Sequence, residues 1–285
     1  MKNVTILLRE NADYLNPAEK AAAEYILKNP SSASSQSVQQ IAANAFVSPA
    51  AVVRMCKSLG FKGFKEFKTA LTADLASQSV TFSLSQEDIQ KGDTLSDIIH
   101  KVTQKNIQSL YDTLRLMDPD ELDKCIKAMH KAKQVKLFGL GASLIVAKDA
   151  YLKFLRINKN CIINEDWHAQ LICARNSTPD DLGIIISYSG ETEEMITCAQ
   201  ELKKNGTPIM AISRCVASSI AKIADMHLYT TANESLFRSG SMSSRISQLN
   251  IIDILYTAYA NSEYDYAMAE LKKTHIKKEH QDEKD

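Results

Sequence analysis

Two different hydrophobic patterns follow one another along the chain. Up to about residue 80, apolar side chains recur at spacings of three and four between residues that start or stop helices, which indicates several short helices. From Val135 onwards, short apolar runs alternate with turns containing glycine or serine and with longer amphipathic segments. That alternation is typical of a parallel sheet flanked by helices. The pattern therefore predicts an all-α domain followed by an α/β domain.

Two helix starts lie close together in the first domain. Ser37, followed three residues later by Gln40, fits a capping box, and Ser48 precedes a proline, which suits the first position of a helix. These signals predict helices over 38–44 and 49–59, joined by a short turn. Two short helices joined in this way form a helix-turn-helix, whose second helix enters the major groove of DNA.

The rest of the first domain is predicted to complete a small helical bundle. Asn16, which precedes a proline, starts a helix that ends near Asn29, and the serine-rich stretch 31–35 is expected to be a connector. In the helix-turn-helix, the spacing predicts a core that contains Ile41, Phe46, Val52, Val53 and Leu59. The side chains expected to face outwards are Ser48, Ala50, Ala51, Arg54 and Lys57.

Basic side chains are concentrated around the second of these helices. Residues 50–70 carry five lysines and arginines against one glutamate, a local charge of +4. Such side chains contact DNA phosphates with an affinity that depends on salt, although a solvated basic face is the simpler alternative. The aromatic residues that follow have the spacing of a helical core face, which disfavours base stacking by them. We expect the DNA interface to include Ser37, Ser48, Ala50, Ala51, Arg54, Lys57 and Lys62.

Five short apolar runs are the candidate strands of the second domain. They are Val135–Phe138, Cys161–Ile163, Gly183–Ile186, Pro208–Ile212 and His227–Tyr229. They predict a five-stranded parallel sheet flanked by helices, the last of which spans about 242–261. The expected organisation is a helix-turn-helix domain over 1–77, a linker and connecting helix over 78–119, the α/β domain over 120–262 and a charged C-terminal tail over 263–285.

Two of the turns that follow these strands carry hydroxyl groups. The first, Gly139–Ser143, has neither the third glycine of a dinucleotide fingerprint nor a Walker lysine. Ser143, Ser187, Ser189 and Thr192 would lie at carboxyl ends of strands and at helix N-termini, where free backbone N–H groups favour an anion. The pattern predicts a metal-free phosphate pocket, while simple helix capping by these hydroxyls remains the alternative.

Composition excludes several classes of protein. The 285 residues are 45% apolar and 24% charged, as in globular proteins. The longest uncharged apolar stretch, 137–147, is too short to span a bilayer, and the apolar run 4–8 is too short for a secretory signal. The six cysteines have no regular spacing, so we expect reduced, buried thiols in a cytoplasmic protein that has no metal site and no cofactor.

The formal net charge of zero hides an uneven distribution. Residues 1–79 carry nine basic and six acidic side chains, a charge of +3, and the remainder of the chain carries −3. The neutral total is therefore compatible with a mildly basic DNA-binding domain and a mildly acidic second domain. The small basic excess predicts a modest, salt-sensitive DNA affinity for each monomer.

Three motifs carry a resemblance to a known family. The loop Ser187–Thr192 resembles the phosphosugar-binding loop of sugar isomerase (SIS) domains, and Gly139–Ser143 is similar to their first glycine-serine loop. The run Leu59–Phe64 matches the LGFxGF pattern of RpiR-type transcriptional regulators. The resemblance covers about 1–77 and 120–262. It implies a SIS-domain homodimer, with a tetramer left open, that senses a sugar phosphate and binds a double-stranded, inverted-repeat operator.

The resemblance also implies which residues hold the effector. The implied phosphate residues are Ser143, Ser187, Ser189 and Thr192. Glu191 matches the acidic position of the loop, where it would either contact the ligand or structure the loop without touching it, and Glu234 is a further expected ligand residue. The segment Arg238–Arg245 is similar to one found in N-acetylmuramate-6-phosphate regulators, which implies an amino-sugar or muramyl phosphate as effector. On this basis the chain is expected to control carbohydrate-metabolism genes.

The alternative function is catalysis by a SIS-fold sugar-phosphate isomerase or etherase. Such chemistry needs an acid–base group near the phosphate. The candidates are Asp166, His168, Glu191 and Glu234. Because a DNA-binding domain has no role in an isomerase, the expectation is a regulator with no catalytic residues.

Overall fold

The computed structural model describes residues 3–78, 89–232 and 241–276. These residues form two compact units. The first unit contains the chain up to Leu116 together with 214–216, and the second contains the rest. Among the described residues, none of the helices combines the length and apolar character needed to cross a membrane.

Helices make up the regular structure of the first unit in the described residues. In chain order they are α1 (Val4–Asn11), α2 (Pro17–Lys28), α3 (Pro30–Ser35), α4 (Val38–Asn44), α5 (Pro49–Ser58), α6 (Phe64–Gln78) and α7 (Leu95–Leu116). The predicted connector over 31–35 is wrong, because Pro30 starts α3 and the serines continue it. The hydroxyls of Ser34 and Ser35 donate to carbonyls three residues earlier, so their polar groups are satisfied within the same short helix.

Hydrogen bonds confirm the predicted helix starts. The Asn16 side chain accepts from the backbone N–H of the third residue of α2 at 3.0 Å. At α4, Gln40 N donates to Ser37 Oγ at 3.3 Å and Ser37 N donates to Gln40 Oε1 at 2.7 Å, which is the predicted capping box. Ser48 Oγ accepts from Ala51 N at 3.2 Å at the start of α5. The helix-turn-helix is therefore delimited by local side-chain chemistry.

Two predictions about the faces of the helix-turn-helix are wrong. Ala51 is buried, with 1% of its surface exposed, because it lies one turn before Met55 on the core face of α5. Phe46 is 96% exposed, because it sits in the turn with a positive φ, and Val47 packs against the core instead. Val53 is only half-buried.

Ion pairs hold α7 within the first unit. Arg115 on α7 pairs with the buried carboxylate of Asp74 on α6, and Arg9 on α1 pairs with Asp112 on α7. Each of these contacts joins helices that are far apart in sequence. Thus α7, which falls within the predicted segment 78–119, belongs to the compact helical unit.

The second unit contains five strands and their flanking helices. The strands are β1 (Gln134–Gly139), β2 (Cys161–Ile163), β3 (Asp181–Ile186), β4 (Ile209–Arg214) and β5 (Met226–Thr230). The helices are α8 (Pro119–Lys131), α9 (Ala142–Arg156), α10 (Trp167–Arg175), α11 (Glu193–Lys204), α12 (Ser219–Ile223), α13 (Met242–Ser262) and α14 (Tyr264–Lys273). The last of these shows that the predicted tail, 263–285, begins with a helix.

The strands form one sheet with the order β2-β1-β3-β4-β5. β1 pairs in parallel with β2 and β3, and β3 pairs in parallel with β4. Ile184 and Ile186 belong to the same core cluster as α9 and α13, whereas Ile185 belongs to the cluster that contains α11. Successive strand residues point to opposite faces, so both faces of the sheet are covered by helices. This arrangement confirms the predicted α/β fold and brings the ends of β1 and β3 side by side.

Candidate functional site

The first candidate site is the exposed surface of the helix-turn-helix. Ser48 and Ala50 at the start of α5, and Lys57 near its end, are exposed. Ser37 and Lys62, at the start of α4 and before α6, are exposed as well. Both serines accept a capping bond, and a hydroxyl that accepts still has its own O–H to donate to a phosphate. Of the predicted interface residues, only Ala51 is buried.

Arg54 lies on α5 with 56% of its side chain exposed. Its Nε is 3.5 Å from Oε1 of Glu19, whose own side chain is only 7% exposed. Ser58 Oγ also donates to Glu19, at 3.2 Å. The contact with Glu19 uses Nε, so the terminal guanidinium nitrogens are not engaged by this ion pair. Glu19 therefore helps to orient Arg54, whose side chain stays more than half exposed.

One lysine of this basic region, Lys68, is engaged in hydrogen bonds within the protein. Lys68 Nζ donates to the backbone carbonyls of Ser35 and Gln36 at 3.0 and 2.7 Å, so it stabilises the C-terminal end of α3. The exposed positive charge of this region consequently lies on α5, on the loop that follows it and at Lys65 in the first turn of α6.

The second candidate site is a cavity of about 220 Å³ in the α/β domain. It lies where β1 and β3 end and α9 and α11 begin. The structure brings together here all four hydroxyl residues predicted from the two loops. The lining residues are Leu140, Ala142, Ser143, Ile186, Ser187, Tyr188, Ser189, Thr192, Met195 and Ser241.

The helix N-termini at this cavity have no capping side chains. Gly141 is the N-cap of α9, with φ 56°, and Thr192 is the N-cap of α11; neither makes a side-chain capping bond. The first backbone N–H groups of both helices are therefore not satisfied by the N-cap side chain. The Thr192 hydroxyl lies 3.3 Å from that of Ser187 instead. These observations disfavour the capping alternative for Thr192 and favour an anion site.

Other hydroxyls of the cavity are positioned by neighbouring groups. Ser189 Oγ accepts from the backbone N–H of Glu191 at 3.2 Å, which shapes the second loop. Ser143 Oγ lies 3.5 Å from the side-chain amide of Gln248, a fully buried residue of α13. Gln170 on α10, also buried, bonds both the N–H and the carbonyl of Gly139 and so supports the first loop. Neither glutamine has a sequence signal, because each is brought to the site from a distant helix.

Glu191, a predicted ligand residue, does not line the cavity. Its two carboxylate oxygens accept from the backbone N–H of Ser219 at 2.8 Å and from the Ser219 hydroxyl at 2.7 Å. The preceding Gly190 has φ 69°, and a Cβ there would lie 2.2 Å from Ser218 Oγ. The loop is thus fastened to the start of α12. Glu234, the other predicted carboxylate, lies outside the described residues.

The acid–base candidates of the catalytic alternative that lie in the described residues, Asp166, His168 and Glu191, are not in the cavity wall. Asp166 caps α10, where it accepts from Ala169 N at 2.9 Å. His168 is exposed on the first turn of the same helix. Among the described residues, the cavity lining contains no carboxylate, histidine, lysine or arginine. The hydrogen-bonding groups of these described lining residues are neutral.

The cysteines and acidic residues give no sign of a metal site in the described part of the chain. No group of three or more His, Cys, Asp or Glu side chains is close enough there to hold an ion. All six cysteines are free, three of them buried. Burial raises the pKa of Cys56 and of Cys125 to about 12, so both thiols stay protonated at neutral pH.

Comparison with known proteins gives a consistent result for both units. The family model for the helix-turn-helix domain of the rpiR family matches residues 2–78, and that for the SIS domain matches 128–258. The HTH-type transcriptional regulator YbbH of Bacillus subtilis is 40% identical over 261 residues, which are 91% of each chain. An HTH-type regulator of Caldanaerobacter subterraneus is 35% identical over 274 residues, 96% of each chain.

Among solved structures, the NanR protein of Vibrio vulnificus, complexed with ManNAc-6P, is similar to this chain. It is 28% identical with a TM-score of 0.59, and the match covers 95% of this chain and 96% of that one. The two regulators that are 35% and 40% identical match 96% and 91% of this chain. The two family models match in the order helix-turn-helix domain, then SIS domain. The chain therefore belongs to the RpiR family and is a transcriptional regulator with a helix-turn-helix domain and a SIS domain.

Proposed function

We propose that the cavity binds the phosphate group of a sugar phosphate and that this binding changes the affinity of the helix-turn-helix for its operator. The observation that carries the proposal is the convergence of four hydroxyls with two helix N-termini that lack capping side chains. Backbone N–H groups, helix dipoles and hydroxyl donors together match the oxygens of a phosphate. The relative complexed with ManNAc-6P supports a phosphorylated sugar as the ligand class.

The neutral lining has a consequence for the way in which the ligand binds. Because the described part of the cavity wall has no lysine or arginine, the described residues would hold the phosphate by hydrogen bonds and dipoles. Such binding depends weakly on ionic strength, whereas DNA binding through Arg54 and Lys57 depends on it strongly. The two activities of the chain are therefore separable by a salt titration.

The sugar is proposed to be an amino sugar. This choice rests on the ManNAc-6P bound by the relative and on the similarity of the segment 238–245 to amino-sugar regulators. The residues proposed to hold the phosphate are Ser143, Ser187, Ser189 and Thr192. Glu191 is proposed to act indirectly, by keeping the second loop in place through Ser219.

On the DNA side, two copies of the chain are proposed to bind an inverted repeat. In a dimer, two α5 helices would enter major grooves about one helical turn apart. Arg54, Lys57 and Lys62 are the proposed sources of positive charge at the interface. Effector binding would act by favouring one geometry of the dimer, because a ligand biases only states that it binds unequally.

A DNA-shift assay on the region upstream of the chain's own coding sequence tests the proposal. It is repeated with a panel of sugar phosphates that includes ManNAc-6P, muramic acid 6-phosphate and unphosphorylated controls. We expect one amino-sugar phosphate to change operator affinity at least several-fold, without effect from its unphosphorylated form. If no phosphosugar alters the shift, or if the protein converts the phosphosugar that it binds, the proposed function is wrong.

A further inference from the structure

Phe46 occupies a position that local structure ordinarily reserves for glycine. At the end of α4, Val47 N donates to Ala42 O at 2.9 Å and Phe46 N donates to Ala43 O at 3.2 Å. This pair of bonds is a Schellman motif, and Phe46 is the residue in the left-handed conformation, with φ 56°. Such backbone is strained for a bulky side chain and is unstrained for glycine.

The folded domain does not compensate this strain by burying the ring. Phe46 is 96% exposed, the highest exposure among the large apolar side chains described. The neighbouring Val47 fills the core position. Phe46 therefore adds both backbone strain and exposed aromatic surface to the native state, and burial of its ring within this unit offsets neither of them. Strain kept at one residue in this way is typical of functional positions.

The surroundings of Phe46 are suited to a polyanion. From Ser31 to Lys65 the sequence contains no acidic residue and four basic ones. Phe46 lies two residues before Ser48, the cap of α5, whose exposed side also presents Ala50 and Arg54. Two carboxylates of the described residues contact this region: Glu19 pairs with Arg54, and Glu66 accepts from Lys62 N at 2.7 Å.

We infer that Phe46 is a DNA-contacting residue, whose exposed ring packs on an apolar group of the duplex beside α5. Phenylalanine makes such contacts with thymine methyl groups in the major groove. A protein partner would have to approach the same basic, carboxylate-poor surface that the helix-turn-helix presents to DNA. The inference rests on the proposed use of this surface for DNA binding, and it assigns a specificity role to a turn residue that carries no charge.

The test compares Phe46→Gly with the full-length wild-type chain. The probe is a duplex that the wild-type protein enriches from a random-sequence pool, so no operator needs to be known. Removing the ring should weaken binding of this duplex about five- to thirty-fold, the equivalent of one buried apolar contact. The slope of log affinity against log salt should not change, because no ionic contact is lost. The unfolding midpoint should stay the same or rise, because glycine relieves the positive φ.

Two further variants separate the ring from the backbone. Phe46→Leu keeps an apolar side chain and should recover part of the affinity. Asn158→Gly is the matched backbone control, since Asn158 is exposed with φ 55° on the other compact unit; it should leave DNA binding unchanged.

Several results would overturn the inference. One is a duplex affinity of Phe46→Gly within two-fold of the wild type. Another is a loss of affinity that accompanies a lower unfolding midpoint or a changed oligomeric state in sedimentation, which would make Phe46 a folding or self-association residue. If the pool yields no enriched duplex at all, DNA binding by this chain fails, which is a different outcome from failure of the Phe46 contact alone.

Discussion

The hydroxyls of Ser187 and Thr192 offer a way to remove ligand binding without disturbing the fold. They lie 3.3 Å apart and bond one another at the cavity wall. The double variant Ser187→Ala with Thr192→Val deletes both partners of this bond at once, so no polar atom of the pair is left unsatisfied. Such paired removal is nearly neutral for stability, and we expect a change in the free energy of unfolding below about 1 kcal/mol.

The effect on ligand binding should be much larger. A hydrogen bond from a hydroxyl to a charged group contributes about 1.5–3 kcal/mol. Loss of two such bonds to a phosphate would cost roughly 3–6 kcal/mol, which corresponds to about a 10²- to 10⁴-fold weaker affinity. Titration calorimetry measures this with the phosphosugar that gives the largest thermal shift to the wild type. Operator binding without ligand should be unchanged.

The chain provides a matched control in the same unit. Thr207 Oγ1 lies 2.8 Å from Ser177 Oγ, and this pair is buried away from the cavity. The Thr207 hydroxyl also contacts Thr178 O, and Ser177 Oγ accepts from the side-chain amide of Asn205. Ser177→Ala with Thr207→Val should lower the free energy of unfolding by about 1–3 kcal/mol and leave ligand affinity unchanged. If the cavity variant binds within three-fold of the wild type, or if both variants lose ligand affinity equally, the cavity is not the phosphate site.

Three further outcomes are expected. Arg54→Ala should weaken duplex binding roughly ten-fold and, because one phosphate contact is lost, make the slope of log affinity against log salt shallower by about 0.9. Unchanged affinity in a shift assay would contradict the role of α5. Gly190→Ala should lower the free energy of unfolding by about 1–3 kcal/mol and impair ligand binding, because Gly190 has φ 69° and a Cβ there would lie 2.2 Å from Ser218 Oγ. Gly63→Ala is the control, because Gly63 has open space around it, and its free energy of unfolding in urea should stay within about 0.5 kcal/mol of the wild type. Because burial raises its pKa to about 12, Cys56 should react with a thiol reagent at pH 8 only after unfolding, and rapid labelling of Cys56 itself in the native protein, located by peptide mapping, would contradict its burial.

Local chemistry accounts for what the sequence predicted well about the fold. The capping serines of α4 and α5, and the asparagine before α2, each accept from a backbone N–H three residues further along, so these motifs can be recognised without tertiary information. The same holds for the hydroxyl loops after β1 and β3, because parallel strands necessarily place their carboxyl ends on one edge of the sheet. The resemblance to RpiR-type regulators rested on these two hydroxyl loops and on the run Leu59–Phe64, and it is confirmed by the family matches.

Errors arose where a residue's environment depends on several elements. Phe46 has an apolar side chain at a plausible core spacing, yet the left-handed turn directs it to solvent. Ala51 was expected outwards, but the rotation of α5 against its neighbours places it in the core. The predicted tail contains α14, whose Ala267 is buried, because an amphipathic segment rich in charge can still pack through one narrow stripe.

The sequence by itself determined the order of the two domains, the helix starts of the helix-turn-helix and the hydroxyl groups available for a phosphate. Each depends on residues that are neighbours along the chain or on a pairing rule that all parallel sheets obey. Only the tertiary structure decided that Glu191 fastens its loop to Ser219, that Gln170 and Gln248 support the cavity, and which side chains of the helix-turn-helix are exposed. These contacts join residues 28 to 105 positions apart, and a side chain's burial or partner at that range is set by the packing of whole helices and strands.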